Sequence, residues 1–275
     1  MPKSQWLREP SKTLAEAADK HKCYQRSVQD TKNEVVNLKN IYMDIYNQPP
    51  YSLREDFCGT AILCEAWIRK NVERSAIGVD IDASVIEYGK SQLKEESDRI
   101  ELMVGNVLNV VTRKVDIIAG LNYGVCYFHE RSMLVQYLKK AAESLNPKGI
   151  LVCDVFGGSR CYKDKAETIR DFGDFKYVFE QRSFDLMTNR VDCRLHFKFP
   201  DGSALKDVFR YHFRLWSIAE LKEAFMDAGF KRIHVWVAET HREDGEENFI
   251  RVERNLSPLH SFNAYIVGSM EDASS

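Results

Sequence analysis

The stretch Leu53-Arg54-Glu55-Asp56-Phe57-Cys58-Gly59-Thr60-Ala61 decides how this chain is read. A short strand, 52–57, runs into a turn with one glycine, and a helical period follows over 60–71. A strand that turns through glycine into a helix opens a doubly wound sheet, where ligands bind outside the carboxyl ends of the strands. Gly59 lets backbone approach a ligand closely. The helix N-terminus behind it favours a negative group such as a carboxylate. Taken alone, one such glycine is equally a plain tight turn.

Outward from this turn the chain alternates short apolar runs with amphipathic stretches. Strands are expected at 75–80, 100–104, 115–121 and 149–155, and helices near 83–95 and 130–145. This alternation predicts βαβ units and a parallel sheet. Asn146-Pro147-Lys148-Gly149 is a turn before the fifth strand. Residues 176–186, 190–199 and 204–214 alternate instead with period two and predict a three-stranded antiparallel insertion. A helix over 217–228 starts on the capping-box pair Ser217 and Glu220 and ends at Ala228-Gly229-Phe230. Strands at 231–237 and 260–267 close the sheet, separated by a long charged loop, 238–259. The polar segment 11–47 predicts an N-terminal helical arm ended by Gln48-Pro49-Pro50. The expected division is arm 1–50, cofactor-binding half 51–172, insertion 173–216 and the rest of the core 217–275.

Composition narrows the function classes. The 275 residues carry 39 Lys plus Arg against 41 Asp plus Glu. A net charge of −2 exerts no whole-chain pull toward nucleic acid or an anionic membrane. No apolar run spans a bilayer, and Met1-Pro2-Lys3-Ser4-Gln5-Trp6 lacks the apolar stretch of a secretory signal. Seven cysteines without a CxxC pair suggest no metal site and a reduced, cytoplasmic protein.

Three further strand ends carry polar groups in order. Asp80, in Gly78-Val79-Asp80-Ile81-Asp82, lies roughly 20 residues beyond the turn, where a carboxylate can accept both hydroxyls of a ribose. Asp82 or Ser84 is the better helix cap there. Asn106, in Val104-Gly105-Asn106-Val107, can accept from an exocyclic amine and donate to a ring nitrogen, though a turn asparagine reads the same way. Asn122 and Tyr123, in Gly120-Leu121-Asn122-Tyr123-Gly124, end strand four at the crevice.

In this order the features resemble the class I S-adenosylmethionine-dependent methyltransferases, across roughly residues 50–270. Glu55 stands at the family's first-motif acid, Cys58-Gly59-Thr60 at its Cys-Gly-Thr core, and Asp80 at its ribose-binding acid. Asn106 stands where Asp is commoner, and Phe57 and Ala61 where glycine is usual. Lys148-Gly149-Ile150 and Ala228-Gly229-Phe230 resemble its turns into strands five and six. The resemblance implies a Rossmann-like α/β fold with a seven-stranded sheet of order 3-2-1-4-5-7-6, the last strand antiparallel. It implies S-adenosylmethionine as cofactor, with S-adenosylhomocysteine as product. The cofactor residues it implies are Arg54, Glu55, Phe57, Cys58, Gly59, Thr60, Asp80, Ile81, Gly105, Asn106, Val107 and Asn122. The arm segment Cys23-Tyr24-Gln25-Arg26-Ser27-Val28-Gln29 is similar to one that accompanies this first motif and adds Tyr24 and Gln29.

Methyl transfer from a sulfonium needs chiefly positioning and charge placement. The base candidates are His129, His196, His212 and Tyr123. Tyr123, Phe128 and Tyr162 are candidate aromatic walls, and Arg214 beside Trp216 a candidate clamp for an anionic acceptor. The expected acceptor is a small molecule. A macromolecular acceptor docking on loop 238–259 and the arm is the second reading, and a cofactor-binding scaffold without turnover the third. A nicotinamide enzyme is disfavoured, because the turn lacks GxGxxG.

Overall fold

The computed structural model describes residues 12–93, 98–238 and 249–271. The arm forms three helices: α1 (Leu14–Ala17), α2 (Lys20–Val28) and α3 (Thr31–Tyr46). The helical arm expected over 11–47 is divided into three helices because Asp19 and Asp30 each begin a new one. Their carboxylates accept from backbone N–H groups of the turn that follows. The core then runs β1 (Ser52–Asp56), α4 (Ile62–Arg69), β2 (Ser75–Asp80), α5 (Ala83–Gln92), β3 (Ile100–Val104), β4 (Val115–Gly120), α6 (Arg131–Glu143) and β5 (Leu145–Gly157). Next come β6 (Ala166–Asp171), β7 (Lys176–Asp185), β8 (Arg190–Lys198), β9 (Ala204–Arg214), α7 (Ile218–Asp227), β10 (Arg232–Ala238), β11 (Phe249–Val252) and β12 (Phe262–Ser269).

The main sheet has the order β11-β10-β12-β5-β4-β1-β2-β3. The expected 3-2-1-4-5-7-6 order lies within it, and β12 runs antiparallel to both neighbours. The eighth strand, β11, pairs with the edge of β10. It lies in the stretch expected to be loop 238–259, of which residues 239–248 fall outside the described residues. The Asn-Pro-Lys-Gly turn is a bulge within β5. Leu145 pairs with Val115 and Ile150 with Ile117, so the extra residues loop out around Pro147, which has no N–H to give the ladder.

The insertion is a four-stranded sheet, β6-β7-β8-β9, beginning at Ala166 rather than at 173. Strand β6 is an edge strand, largely exposed, with Ile169 its only large apolar residue, so its sequence lacks the alternation that marks the other three. Cys23 of α2 packs with Phe175, Tyr177, Leu195 and Phe197 of the insertion. Arg26 forms a two-point ion pair with Asp174 at 2.6 and 2.8 Å. On one face of the main sheet lie α3 and α4, through Leu38, Tyr42, Leu63 and Trp67. On the other lie α6 and α7, through Tyr137, Leu138, Leu221 and Phe225. No described helix is long and apolar enough to cross a membrane.

Candidate functional site

The carboxyl ends of β1, β2 and β4 meet at one edge of the sheet. After β1 the backbone takes left-handed dihedrals at Phe57 (φ 61°), Gly59 (φ 53°) and Ala61 (φ 59°). The two residues standing where glycine is usual therefore keep the backbone glycine would adopt. Each costs on the order of 1–2 kcal/mol for an L-residue. Phe57 offsets its share by packing among Tyr137, Phe128 and Tyr127, with ring centroids 5.7, 6.0 and 6.4 Å away. It also lies flat on Gly124, where any Cβ would meet its ring.

The turn fixes Asp80. Gly59 N–H donates to one carboxylate oxygen at 2.8 Å, and Asp82 N–H donates to the other at 2.9 Å. Asp82 caps α5, which leaves Asp80 outside the capping role. A Cβ at Gly59 would meet nothing within 4 Å, so the space beside the turn is open. The N-cap of α4, Ala61, offers no side-chain acceptor to the first helical N–H groups. Helix α5 braces the turn from behind through Gly89, where a Cβ would sit 2.8 Å from the Thr60 carbonyl oxygen. Gly89→Ala gains helix propensity of about 1 kcal/mol but must push backbone aside, at about 1–3 kcal/mol. We expect a net loss near 1 kcal/mol in urea denaturation; a gain would mean that α5 moves freely.

Ile81 is 72% and Val104 54% exposed at the ends of β2 and β3, an apolar pair flanking Asp80. Gly105 N–H donates to the Asp80 carbonyl at 2.8 Å. The Asn106 side-chain oxygen accepts from Leu108 N–H at 2.9 Å, so part of its capacity closes its own turn. Val107 is buried in the core. Arg54 and Glu55 are also buried. Arg54 pairs with Asp56 at 2.7 Å, and Tyr137 donates to Asp56 at 3.0 Å. Glu55 accepts from the Cys64 thiol at 3.2 Å, on the α4 side of the strand. Both side chains therefore support the turn from within. Cys58 likewise points inward, toward Gly78.

The arm reaches the turn through Gln25. Its Nε2 donates to Thr60 Oγ1 at 2.7 Å, whereas Gln29 ends α2 beyond it. These two residues lie one helical turn apart on the same face, so either fits the sequence pattern. The choice depends on where α2 is cut, and the Asp19 cap sets its start. Gln25→Ala should cost about 0.5–1.5 kcal/mol, read as a lowered denaturation midpoint; an unchanged midpoint would show that the arm is held by its insertion contacts alone. Tyr24 shares a hydrogen bond with Tyr211 of β9 and packs on Phe209 at 4.7 Å.

Beyond β4, Asn122 (φ 57°) and Tyr123 (φ 61°) are two consecutive left-handed residues, the kind of strain that gathers at ligand clamps. Tyr123 N–H donates to Asp154 at 2.7 Å, its hydroxyl donates to Asn263 at 3.0 Å, and its ring packs on Phe156 at 4.5 Å. A short 3₁₀ turn, Gly124–Tyr127, then carries Tyr127 to the crevice.

The other expected residues lie elsewhere. Phe128 is buried against Tyr137 and Phe57. His129 Nε2 is 2.6 Å from the His212 carbonyl, and the His212 side chain is exposed beside Asp192. Arg214 lies 3.8 Å over Trp216 and is spent on the His129 carbonyl and Glu220. Trp216 is buried, with its indole N–H on the Phe128 carbonyl. This pair locks the end of β9 to the 128–129 loop. Tyr162 is exposed, edge-on to Phe184. His196 stands between Glu180 and Asp207, with ligand atoms within 4.8 Å. Arg182 already bridges both carboxylates at 3.0 Å, and the imidazole Nδ1 accepts the Asp207 N–H, so the cluster is an ion-pair network.

Residues 57–149 match the family model described as a methyltransferase domain. No curated protein matches the chain. Among solved structures, an S-adenosylmethionine-dependent methyltransferase from Clostridium acetobutylicum superposes with a TM-score of 0.68 at 14% identity, covering 90% of this chain and 97% of the other. A sugar N-methyltransferase from Streptoalloteichus sp. gives 0.63 at 15% identity, over 97% and 99% of the two chains. An S-adenosylmethionine-bound amino pentose methyltransferase from Micromonospora echinaspora gives 0.63 at 13%, over 89% and 95%. The chain has the fold of these S-adenosylmethionine-dependent methyltransferases.

Proposed function

We propose that this chain transfers the methyl group of S-adenosylmethionine, in line, to a nitrogen or oxygen of a small-molecule acceptor. The observation that carries this reading is the coupling of the left-handed turn to Asp80, whose carboxylate the Gly59 N–H holds beside open space. Asp80 takes the ribose hydroxyls, Ile81 and Val104 flank the base with Asn106 at its edge, and the donors of Gly59, Thr60 and the start of α4 take the carboxylate. S-adenosylmethionine supplies an electrophilic methyl group on a sulfonium when bound. The chain's own part is to orient the acceptor and keep water out, which the arm and insertion do by closing over the turn.

A small acceptor is supported by that cover. Residues 20–46 of the arm pack on the insertion and the core, where a docking surface would stand open. The sugar and amino-sugar acceptors named for two structural neighbours agree. Seven buried, unpaired cysteines support a reducing, cytoplasmic setting. The test is calorimetric titration with S-adenosylhomocysteine, followed by mass spectrometry of amine and alcohol mixtures incubated with S-adenosylmethionine. Micromolar binding and a gain of one methyl group are expected. Methylation of protein or RNA alone would overturn the small-molecule reading.

A further inference from the structure

Three tyrosines from distant parts of the chain meet beside the turn. Tyr24 comes from α2, whose next residue, Gln25, bonds Thr60. Tyr127 comes from the 3₁₀ turn after β4, with its ring 6.4 Å from Phe57. Tyr211 comes from β9, hydrogen-bonded to Tyr24 and stacked on Phe213 at 5.0 Å. Phe213 in turn meets the Tyr127 ring edge-on at 5.0 Å. Tyr127 is 47% exposed, yet surrounding protein pushes its phenol up to about 12. With its ring packed on Phe57 and Phe213 while nearly half of the residue stays exposed, Tyr127 lines a recess. Burial also raises the phenols of Tyr24 and Tyr211, so all three are neutral at physiological pH.

The charges around the recess favour one sign. The Asp80 carboxylate acts on the Tyr127 phenol. Asp154 sits behind Tyr123, whose ring reaches Phe213 through Phe156. Arg214, the cation best placed by sequence to hold an acid, is consumed at the Phe128–His129 loop. Lys20 lies over Phe209 at 5.9 Å, where the Asp82 carboxylate opposes its charge. Aromatic faces with carboxylates behind them attract cations and repel anions. His129, His196 and His212, which would deprotonate a hydroxyl, are held away by other partners.

We propose that the Tyr24–Tyr127–Tyr211 recess selects an amine as methyl acceptor, with nitrogen as the attacking atom. This rests on the methyl-transfer reading above. The amine first gives its excess proton to water. Its lone pair then forms the N–C bond while the C–S pair leaves on sulfur, and the positive charge passes from sulfur to nitrogen. The recess meets that developing charge with π faces and carboxylates, with no protein base required.

Tetramethylammonium, which has the charge but no lone pair, is the probe. It is titrated into the full chain saturated with S-adenosylhomocysteine, with acetate as the anionic comparison. Tetramethylammonium should bind and acetate should not. Tyr127→Leu should weaken the cation about tenfold, while Tyr127→Phe, which keeps the ring, should stay within about twofold. S-adenosylhomocysteine affinity is measured for each variant, and the cation loss in Tyr127→Leu should exceed any change in it. Equal binding of acetate, or a cation affinity indifferent to Tyr127→Leu, overturns the proposal. If S-adenosylhomocysteine itself fails to bind, the methyl-transfer reading falls, and tetramethylammonium titration of the chain alone decides the recess by the same comparisons.

Discussion

Asp80→Ala is expected to weaken S-adenosylhomocysteine binding by about a hundredfold to ten-thousandfold, since a hydrogen bond to a charged group is worth about 1.5–3 kcal/mol and two ribose hydroxyls lose theirs. The effect is large because the carboxylate is already in place. The Gly59 N–H at 2.8 Å and the Asp82 N–H at 2.9 Å hold its two oxygens, so a ligand need not order it. Asp80→Asn keeps one acceptor oxygen and should lose only about tenfold. Asp82→Ala is the structural control. It removes the α5 cap, costs about 1 kcal/mol of stability, and leaves the ribose acceptor standing. Calorimetry on the three variants separates these roles. An Asp80→Ala affinity within about threefold of the parent, well below one charged hydrogen bond, would place the ribose elsewhere.

The sequence carried the site's backbone better than its side chains. Phe57, Gly59 and Ala61 share left-handed geometry, so the resemblance to a glycine-rich motif survives two departures from glycine. A strand, a turn and a helix are local, and their signals lie within a dozen residues. Arg214 and Trp216 show what is not local. Their nearness in sequence marks them as a candidate clamp, but only tertiary packing shows that the 128–129 loop occupies Arg214. Tyr24, Tyr127 and Tyr211 meet only after the arm, the β4 exit and the insertion have folded together, and no spacing in the chain encodes that. Strand β6 went unread because its exposed edge carries little apolar pattern, and β11 because its four residues, though mostly apolar, are too few to show a period.

Glu55→Gln is expected to leave stability nearly unchanged at pH 4.5 and to raise it by roughly 3–5 kcal/mol at pH 8.5, at 1.36 kcal/mol per pKa unit. Glu55 is 1% exposed, and burial, joined by the nearby Asp80 and Asp56 carboxylates, pushes its carboxyl from 4.5 up to about 8. The Cys64 thiol opposes that shift without cancelling it. A carboxyl raised on folding contributes its full share below the unfolded pKa, near 4.5. That share drains away as pH climbs, because the unfolded chain releases the proton first, and it is gone above the folded value near 8. Glutamine has no proton to release and keeps an amide oxygen for Cys64, so the variant is spared the loss. Groups remote from Glu55 act alike in both proteins and cancel in the difference, and burial raises the Cys58 and Cys64 thiols that Glu55 acts on well above their usual range. Urea denaturation at four pH values across this window gives the curve. A flat difference would show that Glu55 is ionised in the folded chain, with a cationic partner compensating it. A rising difference would place a neutral carboxyl directly beneath the cofactor turn at physiological pH, where it adds no negative charge to the space beside Asp80.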